Sequence, residues 1–415
     1  MNSRIPVVVI LGATGSGKSK LAIEIARKFA GEILSADSMQ VYKGLDIVTN
    51  KVTAEERSLA AHHLLDIVEP MQRFTVLDFR NRALPIIEKL MQDGKLPVIV
   101  GGTNYYIESL LWKILVENRD SLEQIKSPTE TEEIHSDGAG PHLYERLQAV
   151  DPDRAQQLHP NNKRKIIRSL QVYAQTGRTH SAILREQRSE DGGSELGGPL
   201  RYPHACILWL QCEQEVLDKR LDLRVDAMLE QGLLRELLDF HRLYNEQRIA
   251  TSTEPDYSKG IFQSIGFKEF HEYLVLSEED RSSEKGSKLL HSGVDELKRV
   301  TRRYARRQLR WITSRFLRKS SRQVPPMYGL DATDPNFWNE HVLEPAVQIV
   351  KSYMEGQKPA EVEPLPVIEQ SKKNDLISHH CDVCDRIFIG DIQWNDHLHS
   401  RKHHKMLKHK QVHKD

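Results

Sequence analysis

Short apolar runs recur along the first half of the chain, and segments with helical periodicity separate them. The runs are VVVIL, GEILSAD, HLLDIV, LPVIVGG and, further on, ACILWLQ. Between the third and the fourth lies FTVLDFRNRALPIIEKLMQDG, in which apolar residues repeat at helical spacing. This alternation is typical of a parallel sheet flanked by helices. We therefore predict an α/β fold.

The middle of the chain has a more helical pattern. Apolar residues repeat at helical spacing in HLYERLQAV, NKRKIIRSLQVYAQTG and VLDKRLDLRVDAMLEQGLLRELLDFHRLY. This pattern predicts a mostly helical insertion in the α/β core. Polar stretches at 117–140, 186–199 and 277–286 predict surface loops, because Gly, Ser and charged residues interrupt the apolar repeat there.

Composition narrows the class of protein. The 415 residues carry a net charge of zero, so a nucleic-acid surface must be a local patch. No apolar run approaches the ~20 residues of a membrane helix, and no membrane partner is expected. Because the first strand is predicted to begin by Ile5, we expect no presequence, and four cysteines suit a reducing compartment. We expect a monomer in the cytoplasm, with the nucleus as a second location. A mitochondrial location would require an alternative start that adds a presequence.

The segment after the first apolar run matches G-x-x-x-x-G-K-[ST], the phosphate-binding loop of P-loop NTPases. Its residues are Gly12, Ala13, Thr14, Gly15, Ser16, Gly17, Lys18 and Ser19. Backbone N–H groups of such a loop point at phosphate oxygens, and the next helix adds the positive end of its dipole. Lys18 supplies a point charge, and Ser19 can bind Mg²⁺. The motif predicts a P-loop NTPase-like sheet and a diphosphate or triphosphate ligand, and leaves the reaction open.

Two polar residues follow apolar runs that predict strands. Asp37 ends GEILSAD, and Thr103 follows LPVIVGG. In open α/β sheets the carboxyl ends of the strands face the ligand, so an ionised Asp37 would lie beside the phosphate loop as a proton acceptor. The alternative is a purely structural role, in which Asp37 caps a turn and Thr103 ends a tight turn before a helix.

The chain resembles the tRNA dimethylallyltransferase family in an ordered series of segments: GATGSGKS, SADSMQVYKGLDIVTNK, HHLLDIVEP, FTVLDF, VIVGGTNYY, HPNNKRKIIRSLQVYAQTG and GIFQSIGFKEF. The resemblance implies that the loop binds dimethylallyl diphosphate and that diphosphate is the leaving group. The acceptor would be the exocyclic N6 of the adenine 3′-adjacent to the anticodon in a tRNA. It also implies that Asp37 is the general base and that Thr103 binds a diphosphate oxygen. Arg224 would contact the diphosphate; without the resemblance it would be interpreted as an exposed helix residue.

The resemblance further implies a surface for the tRNA anticodon stem-loop. It assigns tRNA contacts to Ser38, Met39, Gln40, Lys163, Arg164, Lys165, Ile166, Ile167, Arg168 and Gln263. Independently, residues 298–319 contain ten Lys and Arg residues, and Arg303, Arg306 and Arg310 share one side of a helix. No acidic residue lies within that segment, so we predict contact with the phosphate backbone. A solvated or salt-bridged helix face is the alternative.

The C-terminal segment has the spacing of a C2H2 zinc finger. Two residues separate Cys381 from Cys384, twelve separate Cys384 from His397, and five separate His397 from His403. So short a segment buries too little apolar surface to fold alone, and bound Zn²⁺ would supply the folding free energy. The neighbouring histidines at 399 and 404 are alternative ligands that the spacing disfavours. The finger resembles matrin-type fingers and predicts an accessory RNA contact.

The predicted domains follow from these segments. Residues 1–140 begin the P-loop core, and 141–200 belong to the helical tRNA-binding insertion. Residues 201–330 contain the rest of the core and the insertion, with the basic helix. We predict a linker at 331–375 and the zinc finger at 376–415.

Three other functions fit parts of the sequence. A P-loop kinase acting on a nucleotide or RNA would share the phosphate loop and Asp37, but the Gly-Gly-Thr sequence after the fourth run disfavours it. A non-catalytic zinc-finger RNA-binding protein would share the finger, but the complete loop motif disfavours it. An enzyme that transfers the same group to free adenine nucleotides would need neither the basic helix nor the finger.

Overall fold

A computed structural model describes residues 5–114, 140–194, 197–250, 260–319, 322–369 and 377–412. The chain divides into two units. The sheet unit comprises Met1–Lys113, Leu200–Lys319 and Gln323–Ile368. The helix–finger unit comprises Ile114–Pro199, Ser320–Arg322 and Glu369–Asp415. The polar stretch predicted at 117–140 lies outside the described residues, apart from its last position.

The described strands, in chain order, are β1 (Val7–Gly12), β2 (Glu32–Ser35), β3 (His62–His63), β4 (Pro97–Val100), β5 (Ala205–Gln211), β6 (Arg318–Lys319), β7 (Met327–Asp331), β8 (Ile368–Glu369), β9 (Ser378–Cys381) and β10 (Arg386–Ile389). Six of them form a parallel sheet in the order β3-β2-β4-β1-β5-β7. Val8 and Ile10 join a hydrophobic cluster, and their alternate neighbours Val7, Val9 and Leu11 are also buried. Since alternate residues point to opposite faces, both faces of the sheet are covered. The predicted α/β fold is confirmed.

The described helices, in chain order, are α1 (Lys18–Lys28), α2 (Ala54–Leu59), α3 (Val76–Gln92), α4 (Asn104–Leu111), α5 (Gly140–Val150), α6 (Pro152–Gln156), α7 (Lys163–Thr176), α8 (His180–Ser189), α9 (Gln214–Glu230), α10 (Leu233–Ala250), α11 (His271–Leu274), α12 (Glu278–Arg281), α13 (Glu284–Ile312), α14 (Glu344–Met354), α15 (Asp391–Leu398) and α16 (Arg401–Val412). Short 3₁₀ segments lie at Gly260–Gln263, Lys268–Phe270 and Pro335–Phe337, and π-helical turns at Thr313–Leu317 and Asn339–Leu343. None of these helices has the length and the apolar sequence needed to span a membrane. The helices overlap two of the stretches predicted as loops. The stretch 186–199 begins inside α8, and the stretch 277–286 ends inside α13.

The long helix α13 has one buried face that contacts β1. Ser283 caps its N-terminus by accepting a hydrogen bond from Gly286 N, which satisfies one of the free N–H groups of the first turn. Its buried residues follow helical spacing: Gly286, Gly293, Leu297, Thr301, Ala305, Gln308 and Ile312. A polar residue, Gln308, thus lies in an otherwise largely apolar stripe that faces the sheet unit's interior.

The structure differs from the predicted linker at 331–375. The last strand of the parallel sheet, β7, ends at Asp331, and α14 contributes Ala346, Ile349 and Val350 to the cluster that contains Val8. Apolar residues at helical spacing were therefore present at 342–350. The polar, proline-containing sequence typical of a linker begins only after Met354. Residues up to Met354 belong to the sheet unit.

The helix–finger unit has two described parts. Helices α5 to α7 enclose a small cluster of Leu143, Leu147, Ala155, Leu158 and Ile166, and α8 packs Ile183 against Val172 of α7. The finger consists of the antiparallel hairpin β9–β10 followed by α15 and α16. Helices α5 to α8 belong to the helix–finger unit, whereas α9, α10 and α13 belong to the sheet unit.

Candidate active site

Three adjacent strands bring the predicted catalytic segments together at one edge of the sheet. Strand β4 lies between β2 and β1, and each of the three ends in a loop with predicted site residues. Ala36 N donates to Val100 O at 2.7 Å, and Thr103 N donates to Ala36 O at 3.1 Å. These bonds extend the ladder past the ends of the strands and place Asp37 and Thr103 side by side. The structure thus supports the inference that the loops meet at the carboxyl ends of the strands.

The glycine-rich loop, Gly12–Ser19, curls at two glycines in the left-handed region. Gly15 has a φ of 81° and Gly17 a φ of 92°, and Gly17 is the N-cap of α1. Lys18 Nζ donates to Ala13 O across the loop at 2.8 Å. Ser16 Oγ is buried and, among the described residues, has no hydrogen-bond partner. A buried hydroxyl without a partner is costly unless a ligand satisfies it.

Asp37 lies beside this loop with its carboxylate oriented by the backbone. Met39 N donates to Asp37 Oδ1 at 2.9 Å. Burial raises the pKa of Asp37 above its ordinary value, and this effect exceeds the opposing effects of the Met39 bond and of the nearby Lys18 and Arg224 charges. A carboxylate with a raised pKa is a stronger proton acceptor than an ordinary aspartate.

The Thr103 hydroxyl is hydrogen-bonded to Ser38, the residue that follows Asp37. Ser38 N donates to Thr103 Oγ1 at 3.0 Å, and Thr103 Oγ1 lies 3.1 Å from Ser38 Oγ in a bond that it donates. These contacts fix the Thr103 side chain next to the Asp37 segment. The hydroxyl is therefore held in place before a ligand binds.

Two cations lie near Asp37. Burial lowers the pKa of Lys18 to about 8, and the Asp37 charge only partly opposes it. Burial also lowers the pKa of Arg224 to about 10, and its Nε atom is buried without a hydrogen-bond partner in the described part of the chain. Two desolvated cations and one carboxylate leave the site electropositive, which suits an anionic ligand.

Sequence reasoning missed two polar residues of α13 that reach this site. Gln308 Oε1 accepts from Thr14 N at 2.8 Å, and Gln308 Nε2 donates to Gly102 O at 3.0 Å. Tyr304 Oη donates to the same carbonyl at 3.3 Å. The sequence offered one indication of Gln308, namely a glutamine at a position of α13 where helical spacing predicts a buried apolar residue.

Trp338 was also missed, because it lies in the segment predicted as a linker. Its ring packs on the glycine-rich loop, and a Cβ at Gly17 would lie 2.8 Å from two ring atoms. Trp338 Nε1 donates to Glu24 Oε2 at 2.9 Å, and Lys20 Nζ lies 4.4 Å from the ring centre. A residue that follows the last strand of the sheet therefore packs against the glycine-rich loop and the helix α1.

The residues predicted to contact tRNA differ in their surroundings within the sheet unit. Ser38 and Met39 are half-buried next to Asp37, and Gln263 is exposed. The Gln40 side chain is used internally, since it accepts from Ser35 Oγ and donates to Thr49 O and Asn50 O. Gln40 thus shapes the loop that follows Asp37, which is a structural role that its sequence position did not indicate.

The basic helix has acidic partners that the sequence segment itself does not contain. Asp218, Asp222 and Asp226 repeat every four residues on α9, and they pair with Arg306, Arg302 and Lys298 of α13. Arg306 is therefore neutralised by Asp218, which agrees with the alternative of a salt-bridged helix face for this residue. Arg303 and Arg310 are exposed, and no ion pair to a carboxylate is present for either among the described residues.

The second predicted basic segment lies on α7 of the helix–finger unit. Arg164 and Lys165 are exposed, Lys163, Ile167 and Arg168 are half-buried, and Ile166 is fully buried. Ile166 belongs to the cluster with Leu143 and Leu147, so its role in this structure is packing. The exposed residues remain a predicted tRNA surface.

The finger brings the four predicted metal ligands together. The ligand atoms of Cys381, Cys384, His397 and His403 all lie within 4.8 Å of one another. His403 Nδ1 lies 3.5 Å from Cys381 Sγ, 3.6 Å from Cys384 Sγ and 3.1 Å from His397 Nε2. Two thiolates and two imidazoles at these separations fit tetrahedral Zn²⁺. Of the two alternative ligands, His399 donates from Nδ1 to Asn395 O at 2.7 Å, and neither His399 nor His404 belongs to the four-ligand cluster.

Comparisons with known proteins agree with this geometry. Residues 40–315 match the IPP transferase family, and residues 5–65 match the isopentenyl transferase family. The chain belongs to the IPP transferase family. Residues 379–403 match a zinc-finger family of C2H2 type, which contains the four-ligand cluster.

Relatives of this family are similar over nearly the whole chain. The tRNA dimethylallyltransferases of Mus musculus and Homo sapiens are each 50% identical to it, over 97% of this chain and 86% of theirs. A eukaryotic dimethylallyltransferase structure, described as acting on tRNA, has a TM-score of 0.79 at 30% identity and covers 99% of this chain and 98% of its own. The tRNA isopentenylpyrophosphate transferase of Bacillus halodurans has a TM-score of 0.52 at 31% identity, with 85% and 97% covered.

Proposed function

We propose that the chain transfers the dimethylallyl group of dimethylallyl diphosphate to N6 of the adenine 3′-adjacent to the anticodon in tRNAs, and that it releases diphosphate. The observation that carries this proposal is the meeting of a glycine-rich loop, Asp37 and Thr103 at one sheet edge. Family membership and the names of the 50% identical relatives support the same reaction.

The glycine-rich loop is proposed to act as a P-loop that binds the diphosphate. Its backbone amides and Lys18 would bind the terminal phosphate oxygens. Ser16 Oγ and Arg224 Nε are buried donors that have no partner in the described ranges of the chain, and an anionic ligand would satisfy both. As diphosphate leaves, it gains negative charge, which the preorganised cations of this site would stabilise.

Mg²⁺ fits the same loop, since Ser19 has an exposed hydroxyl on the first turn of α1 and diphosphate oxygens are the hard ligands that this ion prefers. When bound, the ion would neutralise part of the charge that develops on the leaving diphosphate. Ser19 is the residue proposed to hold it.

Asp37 is proposed as the general base. The amine nitrogen of adenine is a weak nucleophile because its lone pair is delocalised into the ring. As the new N–C bond forms and the C–O bond to diphosphate breaks, one N6 proton would pass to an Asp37 carboxylate oxygen. Such proton transfer contributes about 10² to 10⁴ in rate. Thr103, held by Ser38, would bind the oxygen next to the breaking bond.

The acceptor adenine must leave its stack in the anticodon loop to reach Asp37, at a cost of about a few kcal/mol. Exposed basic residues on α13 and α7 supply surfaces of the kind that bind a phosphate backbone. The finger is proposed to add a further RNA contact.

One transfer assay tests the proposal against its alternatives. Purified protein is mixed with Mg²⁺, labelled dimethylallyl diphosphate and unmodified tRNA, with and without ATP, and with free AMP as a competing acceptor. We expect label in tRNA, independent of ATP. Label on AMP instead would support transfer to free nucleotides. Phosphate transfer from ATP would support a kinase, and no transfer at all would support a non-catalytic RNA-binding protein.

A further inference from the structure

The side chain of Gln308 joins two loops of the candidate active site. It lies on the buried stripe of α13 and is 4% exposed. Its Oε1 atom accepts from Thr14 N at 2.8 Å, and its Nε2 atom donates to Gly102 O at 3.0 Å. One amide therefore connects the glycine-rich loop after β1 to the loop after β4.

Gly102 is closely surrounded by the residues that matter for the reaction. A Cβ at Gly102 would lie 2.5 Å from Gln308 Nε2, 3.3 Å from Asp37 Oδ2 and 3.5 Å from Tyr304 Oη. Thr103 follows directly in sequence. Any shift of the Gly102 carbonyl would therefore move Thr103 relative to Asp37.

Resting on the function proposed above, we propose that Gln308 is a positioning residue, which fixes the glycine-rich loop relative to Gly102 and so sets the separation between the diphosphate and the Asp37–Thr103 pair. The strands β1 and β4 are hydrogen-bonded neighbours, but their loops leave the ladder. The Gln308 amide connects the loops beyond that point.

The chemistry of a primary amide suits this role. It offers a carbonyl acceptor and an N–H donor at once, and both are used on backbone groups. Gln308 acts through Thr14 and Gly102, and has no assigned contact with substrate. Reacting groups displaced by about 1 Å can lose about 10²-fold in rate, so a small loop shift would be measurable.

The test compares Gln308→Met with Ile312→Val. The first keeps the side-chain length and removes both hydrogen bonds; the second loses a buried methyl group one turn along the same helix, away from the loops. Isothermal titration with inorganic diphosphate and Mg²⁺ gives the Kd, and the transfer assay gives kcat and KM. For Gln308→Met we expect diphosphate Kd to rise at least about tenfold and kcat to fall, with tRNA Kd within twofold of wild type.

The variant Gln308→Glu provides a readout that loss of packing would not change. A protonated glutamic acid can accept from Thr14 N and donate to Gly102 O, whereas the ionised form cannot donate. The ratio of its diphosphate Kd to that of wild type, measured at each pH, should therefore fall toward one as pH decreases. Taking the ratio removes the titration of Lys18, which both proteins share.

The outcomes separate this inference from the proposed function. If wild type neither binds diphosphate nor transfers label, the proposed function fails. If wild type does both and Gln308→Met behaves like Ile312→Val, the positioning role of Gln308 is overturned. Should Gln308→Met fail to fold, a pH-independent Kd ratio for Gln308→Glu would overturn it equally.

Discussion

The candidate active site, at the carboxyl ends of the strands, and the metal cluster of the finger both present polar side chains. Different interactions hold those side chains in position. Asp37 and Thr103 follow strands whose side chains are buried on both faces of a parallel sheet. In the finger, the buried side chains among residues 377–408 are metal ligands, namely Cys381, His397 and His403. An apolar core positions the first site, whereas the bound metal must organise the second. The two sites should therefore respond differently to the same perturbation.

The largest difference is expected on metal removal. A zinc-selective chelator, added with Mg²⁺ kept in excess, should unfold the finger, because an apparent ~10–16 kcal/mol of its folding free energy comes from the metal in comparable peptides. The sheet unit should keep its circular dichroism and its diphosphate affinity. Cys384→Ser should reproduce the chelated state, and Cys212→Ser, which removes a half-buried thiol outside the cluster, is the matched control. Loss of diphosphate affinity on chelation would contradict the comparison.

Replacing Asp37 with Asn should affect chemistry and leave the fold intact. The amide keeps the acceptor for Met39 N but cannot take the N6 proton, so we expect kcat to fall by about 10² to 10⁴. The tRNA Kd, measured by filter binding, should stay within about threefold. Asp93→Asn, on an exposed Asp paired with Lys89, is the control. Unchanged turnover would remove Asp37 from its role as base.

Replacing Trp338 with Ala should weaken the support of the glycine-rich loop. Truncation of a buried aromatic ring typically lowers the free energy of unfolding by about 3–5 kcal/mol, and here the ring also contacts Gly17. Diphosphate affinity should fall together with stability in urea unfolding. Phe337→Ala, at an exposed neighbouring position, should change stability by about 0.5 kcal/mol or less. Equal effects of the two variants would show that the Trp338 contact does not matter.

The pH dependence of kcat/KM for the donor should have two limbs. Asp37 must be ionised, so activity should fall as pH decreases through its raised pKa, above the ordinary value of about 3.9. Lys18 must be charged, so activity should fall as pH increases through about 8. Lys18→Arg should move the alkaline limb upward, because a guanidinium stays protonated. An alkaline limb that stays near pH 8 in this variant would assign it to another group.

The smallest effect is expected for single charges on α13. Arg303 is exposed, whereas Arg306 pairs with Asp218. Arg303→Gln should reduce the slope of log K against log salt for tRNA by about 0.7 to 0.9, the value for one phosphate contact. Arg306→Gln should reduce it less, since Asp218 already neutralises that charge. The reverse order would mean that tRNA displaces Asp218.

Local sequence patterns predicted much of the candidate site. The loop motif depends on glycines that adopt positive φ, as Gly15 and Gly17 do, and the metal cluster depends on spacing within one short segment. Asp37 and Thr103 could be placed because parallel strands put their carboxyl ends at one edge. Gln308 and Trp338 could not be placed, because their contacts are distant in sequence. Gln308 lies 294 residues from Thr14 and 206 from Gly102, and Trp338 lies 314 residues from Glu24.

The sequence by itself determined the α/β alternation, the loop motif and the four ligands, because each depends on short-range periodicity or spacing. Tertiary structure decided which basic residues stay unpaired, since the acidic partners of Arg302 and Arg306 come from another helix. It also decided that residues 331–354 belong to the sheet unit, where β7 pairs with β5. Ion pairing and burial depend on neighbours that are distant in the chain. Those neighbours come into contact only when the helices pack on the sheet.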